Sequence, residues 1–438
     1  MALRLPVLTG HVLLAVFALA ISPLAARAQI GPILTGEGAV NRSMGGASVA
    51  APLDGVGATY WNPATTSSVP NSMDLGVELS SVRTRLFSSL PANALGKGIP
   101  AMPLAGTTAG DNGVAPLPSM GLVYRPEGSL WTFGLGTYAV AGFSVNYPAS
   151  LTNPILTAQP PNGVGLGALF ASLQVIQIAP TLALQVTPRL SLGAGPTVNL
   201  ALLQTDPFFL AAPNADGTFP SGTHSRYSWG GGFQFGAYYQ LDGGWRLGAS
   251  FKSPQWFEPF QFQTADALGR PRFPSFRAEL PLTPSLGIAY AGFDGWLLAA
   301  DFRYVDFGDA NGLRQTGFDA SGAARGLGWQ GVFAMALGAQ YQLTESASLR
   351  LGYTYNQNPI SSEQTSFNVA SPTILEHTLY TGASYHVSET FKLSLGYVHG
   401  FKNSVAGPLV TPLGAVPGSS VRFSASGDTV MVGASVNY

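Results

Sequence analysis

The chain has 438 residues and a formal net charge of -1, with 10% charged residues against 46% hydrophobic ones, 54 Gly and 0 Cys. Without cysteine there is no disulfide framework, thiolate metal site or catalytic thiol, and the balanced charge gives no electrostatic footprint for nucleic acid. An average soluble protein carries roughly 25% charged residues, so the composition also points away from a soluble fold.

In chain order, residues 1–28 read as a secretory signal: Arg4 in the n-region, an apolar core from Val12 to Ile21, and small residues Ala26 to Ala28 for cleavage, so that the mature chain begins at Gln29. The mean hydropathy is +0.21, yet no second apolar run approaches the roughly 18 residues a membrane helix needs. A closed β-barrel is the other structure that satisfies its backbone inside a bilayer, and its strands alternate instead of forming apolar runs.

Residues 29–70 do not alternate. They are rich in Gly and Ala and include Tyr60 and Trp61, whereas a solvated leader would be charged and poor in aromatics. A small plug, or hatch, folded inside a barrel is the better reading.

From residue 71 to 438, period-two segments recur. In "DTVMVGASVNY", Val430, Val432, Ala434, Val436 and Tyr438 share one face, and "GWRLGASFK" and "SLRLGYTYN" split the same way. This template gives about fourteen strands, starting near residues 72, 117, 130, 170, 189, 225, 244, 273, 295, 329, 346, 373, 389 and 420. Tight turns ("RPEGS", "TPR", "LDGG", "GFDG", "LTES", "VSE") alternate with mostly long loops, as in a bacterial outer-membrane barrel with short periplasmic turns and both termini on that side. A secreted sandwich or propeller would need more charge on its outer faces. A general diffusion porin would need a charge-lined lumen and no plug.

The segments "GAVNRSMGGASVA" and "GATYWNPA", followed in order by "PTLALQVTPRLSLGAGPTVN", "SLRLGYTYNQNPI" and "LYTGASYHVSETFKLSLGYVHGF", resemble the outer-membrane long-chain fatty-acid transporter family, which includes uptake channels for aromatic hydrocarbons. The resemblance implies a fourteen-strand barrel closed by an N-terminal hatch. It also implies passive uptake of a hydrophobic ligand through an apolar lumen pocket, with lateral exit through a wall gap near strand three. Long-chain fatty acids are the expected substrate, aromatic hydrocarbons the alternative. A monomer in contact with outer-membrane lipid is expected, with no cofactor, metal or nucleic acid.

The hatch motif carries over as Asn62, Pro63 and Ala64, with Gly45 and Gly46 in the preceding segment. Pro63 fixes φ and biases Asn62 to an extended backbone, making a stiff corner; an ordinary turn into strand one is the bland reading. Gly134, Gly136 and Gly142 in strand three are candidates for the lateral opening, since glycine permits a bulge, but lumen glycines also simply make room. Phe208 and Phe209, with Trp256 and Phe257, read either as a greasy landing groove or as girdle aromatics. The loop after strand seven reads as short, unlike the long lid loops the resemblance leads one to expect. Lys252, Arg246, Arg303 and Arg350 alternate inward; Lys252 and Arg350 are candidates for a ligand carboxylate, while Asp301 two residues before Arg303 points to a structural ion pair. Ser384 and His386 share a face, but no nucleophile elbow surrounds the serine, and no phosphate loop or His-Glu-x-x-His is present. Catalysis is not expected.

Overall fold

The computed structural model describes residues 29–438; the signal segment read from the sequence lies outside them. Among the described residues, fourteen strands form the barrel wall. They are β1 (Ser72–Leu90), β2 (Val114–Tyr124), β3 (Trp131–Tyr147), β4 (Leu169–Gln185), β5 (Leu190–Asp206), β6 (Ser228–Gln240), β7 (Trp245–Lys252), β8 (Thr283–Tyr290), β9 (Trp296–Val305), β10 (Val332–Gln342), β11 (Ala347–Asn356), β12 (His377–His386), β13 (Phe391–Gly407) and β14 (Ser420–Asn437). Each pairs antiparallel with the next, and β14 returns to β1, with Asn437 opposite Ser72 and Ser420 opposite Ser89. Closure leaves no edge strand, which is the condition for strands to cross lipid.

The alternation read from the sequence sets the two faces. On β14, Val430, Val432, Val436 and the following Tyr438 are exposed, while Thr429, Met431 and Ser435 are buried. An outward apolar band of this kind suits lipid contact.

Strand eight differs from the expectation. It begins at Thr283 rather than near 273, because "RPRFPSFRAEL" belongs to a hairpin in which Phe260 pairs with Phe276 and Thr264 with Arg272. Pro271 and Pro274 suit such a short exposed ribbon, since proline is kept from central strands. The connection after β7 is therefore long, spanning 253–282, and the expectation of a short loop is corrected.

Residues 29–70 fill the lumen. Gln29–Ile30 and Ile33–Leu34 form a minimal hairpin, followed by helix α1 (Ala39–Ser43), helix α2 (Gly55–Trp61) and a 3-10 turn, Pro63–Ser68. Nearly every residue in this stretch is buried.

A ring of lumen-facing glycines surrounds the hatch. A side chain on Gly352 would strike the Gly45 backbone, one on Gly193 the Ala64 backbone, one on Gly248 the Val49 carbonyl, and one on Gly121 the Val56 backbone. Gly338 and Gly352 are cross-strand partners, as are Gly248 and Gly287, and Gly382 and Gly396. Much of the glycine content is thus clearance: the wall gives up side-chain volume at one level so that hatch backbone packs directly on strand backbone.

Candidate functional site

The Asn-Pro-Ala corner joins α2 to the 3-10 turn. Asn62 has the extended φ of -142° and ψ of 99° that a following proline favours, and Pro63 occupies the first position of the turn, where its missing N–H costs nothing. The Asn62 side chain serves three partners: Nδ2 donates to the Val49 carbonyl at 2.8 Å and to the Ala237 carbonyl of β6 at 3.0 Å, while Oδ1 accepts from Ala64 N at 3.1 Å. One buried amide thus ties two hatch segments to the wall. Ala64 is fully buried, and its backbone lies directly against Gly193 of β5. Gly45 and Gly46 have φ of 67° and 75°, the left-handed region that favours glycine.

Two buried ion pairs fasten the hatch elsewhere. Arg42 of α1 meets Glu78 of β1 at 2.6 Å, and the other Glu78 oxygen accepts from Gly38 N at 3.0 Å. Arg303 meets Asp301 at 2.6 Å, as its spacing from Asp301 led us to expect. The same Asp301 oxygen accepts from Ser48 N and Val49 N at 2.9 and 3.1 Å. Removing one member of such a buried pair costs about 3–5 kcal/mol. On the periplasmic side Asp54 caps α2, accepting from Gly57 N at 2.8 Å, and Asp74 of β1 accepts from Gly55 N at 2.8 Å. Burial, and then the neighbouring Asp74 charge, push the Asp54 carboxyl up to about 7.

Above the hatch lie two apolar cavities. The outer, of about 280 Å³, is roofed by loop residues including Leu95, Ile155, Phe219, Phe318, Phe367 and Leu409. The inner, of about 80 Å³, is lined by Phe143, Leu173, Leu203, Phe257, Leu280 and Trp329 among others, and it reaches the hatch at Pro32. Phe209 lines both cavities and stands between them. No lysine or arginine lines the inner chamber, whose one charged wall residue is Glu279.

The inner chamber borders a window in the wall. β2 and β3 are paired from Tyr124–Phe133 up to Ser119–Tyr138, and there the ladder stops. Contact resumes only where Asp111 N donates to the Asn146 carbonyl at 2.8 Å and Asn146 N to Asn112 Oδ1 at 2.9 Å. Between those points β3 carries a bulge at Ala139–Ala141 against β4, and every residue from Tyr138 to Val145 is buried. The strand has lost its inside-outside alternation because it is drawn off the wall toward the lumen.

The facing edge of β2 explains why it does not follow. Pro118 stands opposite Val77 and Pro116 opposite Leu79 on β1. A residue without an N–H cannot form a hydrogen-bonded antiparallel pair, so both occupy the other kind, and their backbone groups point toward β3. Two successive donors are thus missing on the window side. The hatch covers the opening from within: Ile33 pairs with Ala141, the Pro32 carbonyl accepts from Gly142 N at 2.9 Å, and Gln29 Nε2 donates to the Gly142 carbonyl.

The site residues read from the sequence separate accordingly. Asn62, Pro63, Ala64, Gly45 and Gly46 lie in the hatch, but the corner docks on β5 and β6, away from the window. Gly142 lies at the window. Gly134 and Gly136 lie in the regularly paired half of β3, opposite Val123 and Gly121, and make room for Thr59. Phe209 and Phe257 line the inner chamber, whereas Phe208 is fully buried against Phe262. Trp256 is 47% exposed and clusters with outward Phe233 on the outer face of the wall, and it does not line either cavity. Lys252 Nζ lies 4.1 Å from the Tyr60 ring centroid and 5.0 Å from that of Trp61. Arg350 bonds Gln340, Ser384 and Ser348 and lines neither cavity. Missed in the sequence were the bulge at Val140 and the proline pair; "APLPS" carried the second signal, as prolines spaced by two in an alternating strand vacate one edge.

A closed antiparallel barrel with an internal hatch and an apolar lumen defines an outer-membrane transport protein. Residues 16–438 match the family model of the outer membrane protein transport proteins (OMPP1/FadL/TodX), and the chain belongs to that family. Among solved structures, a Pseudomonas aeruginosa FadL homologue is similar at 17% identity and a TM-score of 0.68, covering 93% of this chain and 99% of that one. The Pseudomonas putida toluene transporter TodX aligns at 19% identity and 0.66, covering 94% and 100%. The Ralstonia pickettii toluene transporter TbuX aligns at 18% and 0.66, covering 92% and 99%. At these identities the likeness shows the fold. No curated relative matches the sequence. The family is one of hydrophobic-compound channels in the outer membrane, not enzymes.

Proposed function

We propose that the chain passes small uncharged hydrophobic molecules, of which monoaromatic hydrocarbons are the type, from the outer cavity past Phe209 into the inner chamber, and out sideways through the β2–β3 window. The observation that carries this reading is the lining of the inner chamber, which has no lysine or arginine and whose one charged residue, Glu279, has its carboxylate taken up by Asn311 at 2.8 Å. A ligand carboxylate there would lose its hydration with no cation to compensate. An apolar solute loses nothing and gains about 25 cal/mol per Å² of surface withdrawn from water. That several structural relatives are named toluene transporters is in keeping with it. Exit to the side follows from the same logic: the hatch blocks the axial route, and the window leads from an apolar chamber toward lipid.

Long-chain fatty acids are the second reading, and Lys252 favours it. Its ammonium rests on the Tyr60 and Trp61 rings with no carboxylate partner among the described ion pairs, so a ligand carboxylate reaching hatch level would find a cation.

Uptake in cells lacking their own hydrophobic channel, comparing labelled toluene with a labelled long-chain fatty acid, separates the two. We expect toluene uptake that survives Lys252→Met, and Phe209→Trp to reduce it severalfold. Uptake of the fatty acid alone, lost in Lys252→Met, would establish the second reading. Free passage of small polar solutes with uptake of neither compound would overturn both.

A further inference from the structure

The outward face of β13, β14 and β1 changes chemistry along its height. The ladder registers align these strands into rows, and the rows change character once, along a sharp line. Nearest the periplasm the rows are Phe391, Val436, Met73; then Leu393, Ala434, Leu75; then Leu395, Val432, Val77; then Tyr397, Val430, Leu79. All are apolar or girdle aromatics, and at about 6.7 Å per two residues on strands tilted by about 40° they cover about 15–20 Å, the greater part of an apolar belt.

The next row outward is His399, Asp428, Ser81. Asp428 accepts from the Tyr397 hydroxyl at 2.6 Å, meets His399 Nδ1 at 2.8 Å and Arg83 at 3.0 Å. This is the first of these rows to carry charge.

Above it come Ser426 beside Arg83, Ser424 beside Arg85, and Arg422 beside Phe87. A bulge between Gly400 and Asn403 turns both Phe401 and Lys402 outward next to Ser426. Four cations, Arg83, Arg85, Lys402 and Arg422, therefore face outward within a few rungs, against one carboxylate already shared among three partners. The Arg83 side chain is 70% exposed, and the Arg422 guanidinium carbon lies 5.2 Å from the Phe87 ring centroid, a contact that does not consume its donors. Hydroxyls of Ser424 and Ser426 lie between them.

We infer that this patch binds a phosphate-bearing lipid of the outer leaflet, with its phosphates on Arg83, Arg85 and Arg422 and its acyl chains along the apolar rows below. Guanidinium forks match phosphate oxygens two at a time. Same-face neighbours on one strand stand about 6.7 Å apart and diagonal neighbours across a pair about 7–8 Å, so the cations are spread widely enough to engage two phosphates on one headgroup. Continuity with the belt selects a lipid over a soluble anion: the site is half headgroup pocket, half acyl surface. The reading is independent of what the lumen carries.

The test is retention of lipid A, which bears two phosphates, by the purified full-length barrel in phosphatidylcholine nanodiscs, measured by native mass spectrometry against enzymatically dephosphorylated lipid A. We expect at least fivefold preferential retention of the phosphorylated form, declining with salt. In Arg83→Gln/Arg85→Gln/Arg422→Gln the preference should vanish, and in the matching triple lysine variant it should be partly restored. Heat-modifiable gel mobility confirms that each variant is folded. Equal retention of the two forms by the unaltered protein, or unchanged preference in a folded triple glutamine variant, would overturn the proposal.

Discussion

Asn62 shows how far single residues were legible. The sequence supplied an extended residue, a fixed φ and a small neighbour, and those three facts follow from covalent geometry alone. The partners of the amide did not follow, because Val49 and Ala237 lie 13 and 175 residues away, and no local pattern encodes such pairings. Asp54 was silent for the same reason: its neighbour Asp74 is supplied by β1. With its carboxyl raised to about 7, folded Asp54 holds a proton that the unfolded chain releases near its ordinary value of 3.8. Between those limits the native state binds more protons, so stability falls as pH rises toward neutrality and levels off above it. Urea midpoints should therefore be higher at about pH 5 than at about pH 8. Arg350 and Lys392 also face this carboxyl. Asp54→Asn, which retains the oxygen that caps Gly57, should flatten that part of the pH profile.

At the scale of elements, thirteen of the strand starts lie within a few residues of those read from alternation, and the exception has a cause. The ribbon at 260–276 alternates as a wall strand does, because a solvent-exposed hairpin over an apolar lumen also has two unlike faces. β3 was identified as a strand and the resemblance implied a wall gap near it, but the place where it leaves the wall was not legible, since the segment from Tyr138 to Val145 mixes small and apolar residues that would suit either face. The edge prolines offer a direct test. Pro116→Val with Pro118→Val restores two donors facing β3 and should let the ladder extend beyond Ser119. Uptake of the hydrophobic substrate should fall severalfold while gel mobility stays that of folded barrel; undiminished uptake would show that the substrate leaves elsewhere.

For the whole molecule, the closed barrel was legible because it is the answer to three independent pressures: low charge, absent helical spans, and period two throughout. The glycine ring was not, because clearance is a relation between two surfaces and glycine abundance has many causes. Its energetic meaning is testable. In Gly352→Val the side chain would meet Gly45 backbone, which has no softer group to yield. The hatch should be displaced, so that planar-bilayer recordings show steady ion conductance in the variant and little in the parent.

The glycine ring also constrains assembly. The hatch leads without a break into β1 and is enclosed by strands up to β14, whose Gly433 lies against Ala39. A plug that packs backbone on backbone, held by two buried ion pairs, cannot be threaded into a finished cylinder through a lumen roofed by loops. The wall must wrap around residues 29–70 before β1 and β14 zip together, so this segment acts as an internal mandrel, and the circumference of the barrel is gauged against it as it closes.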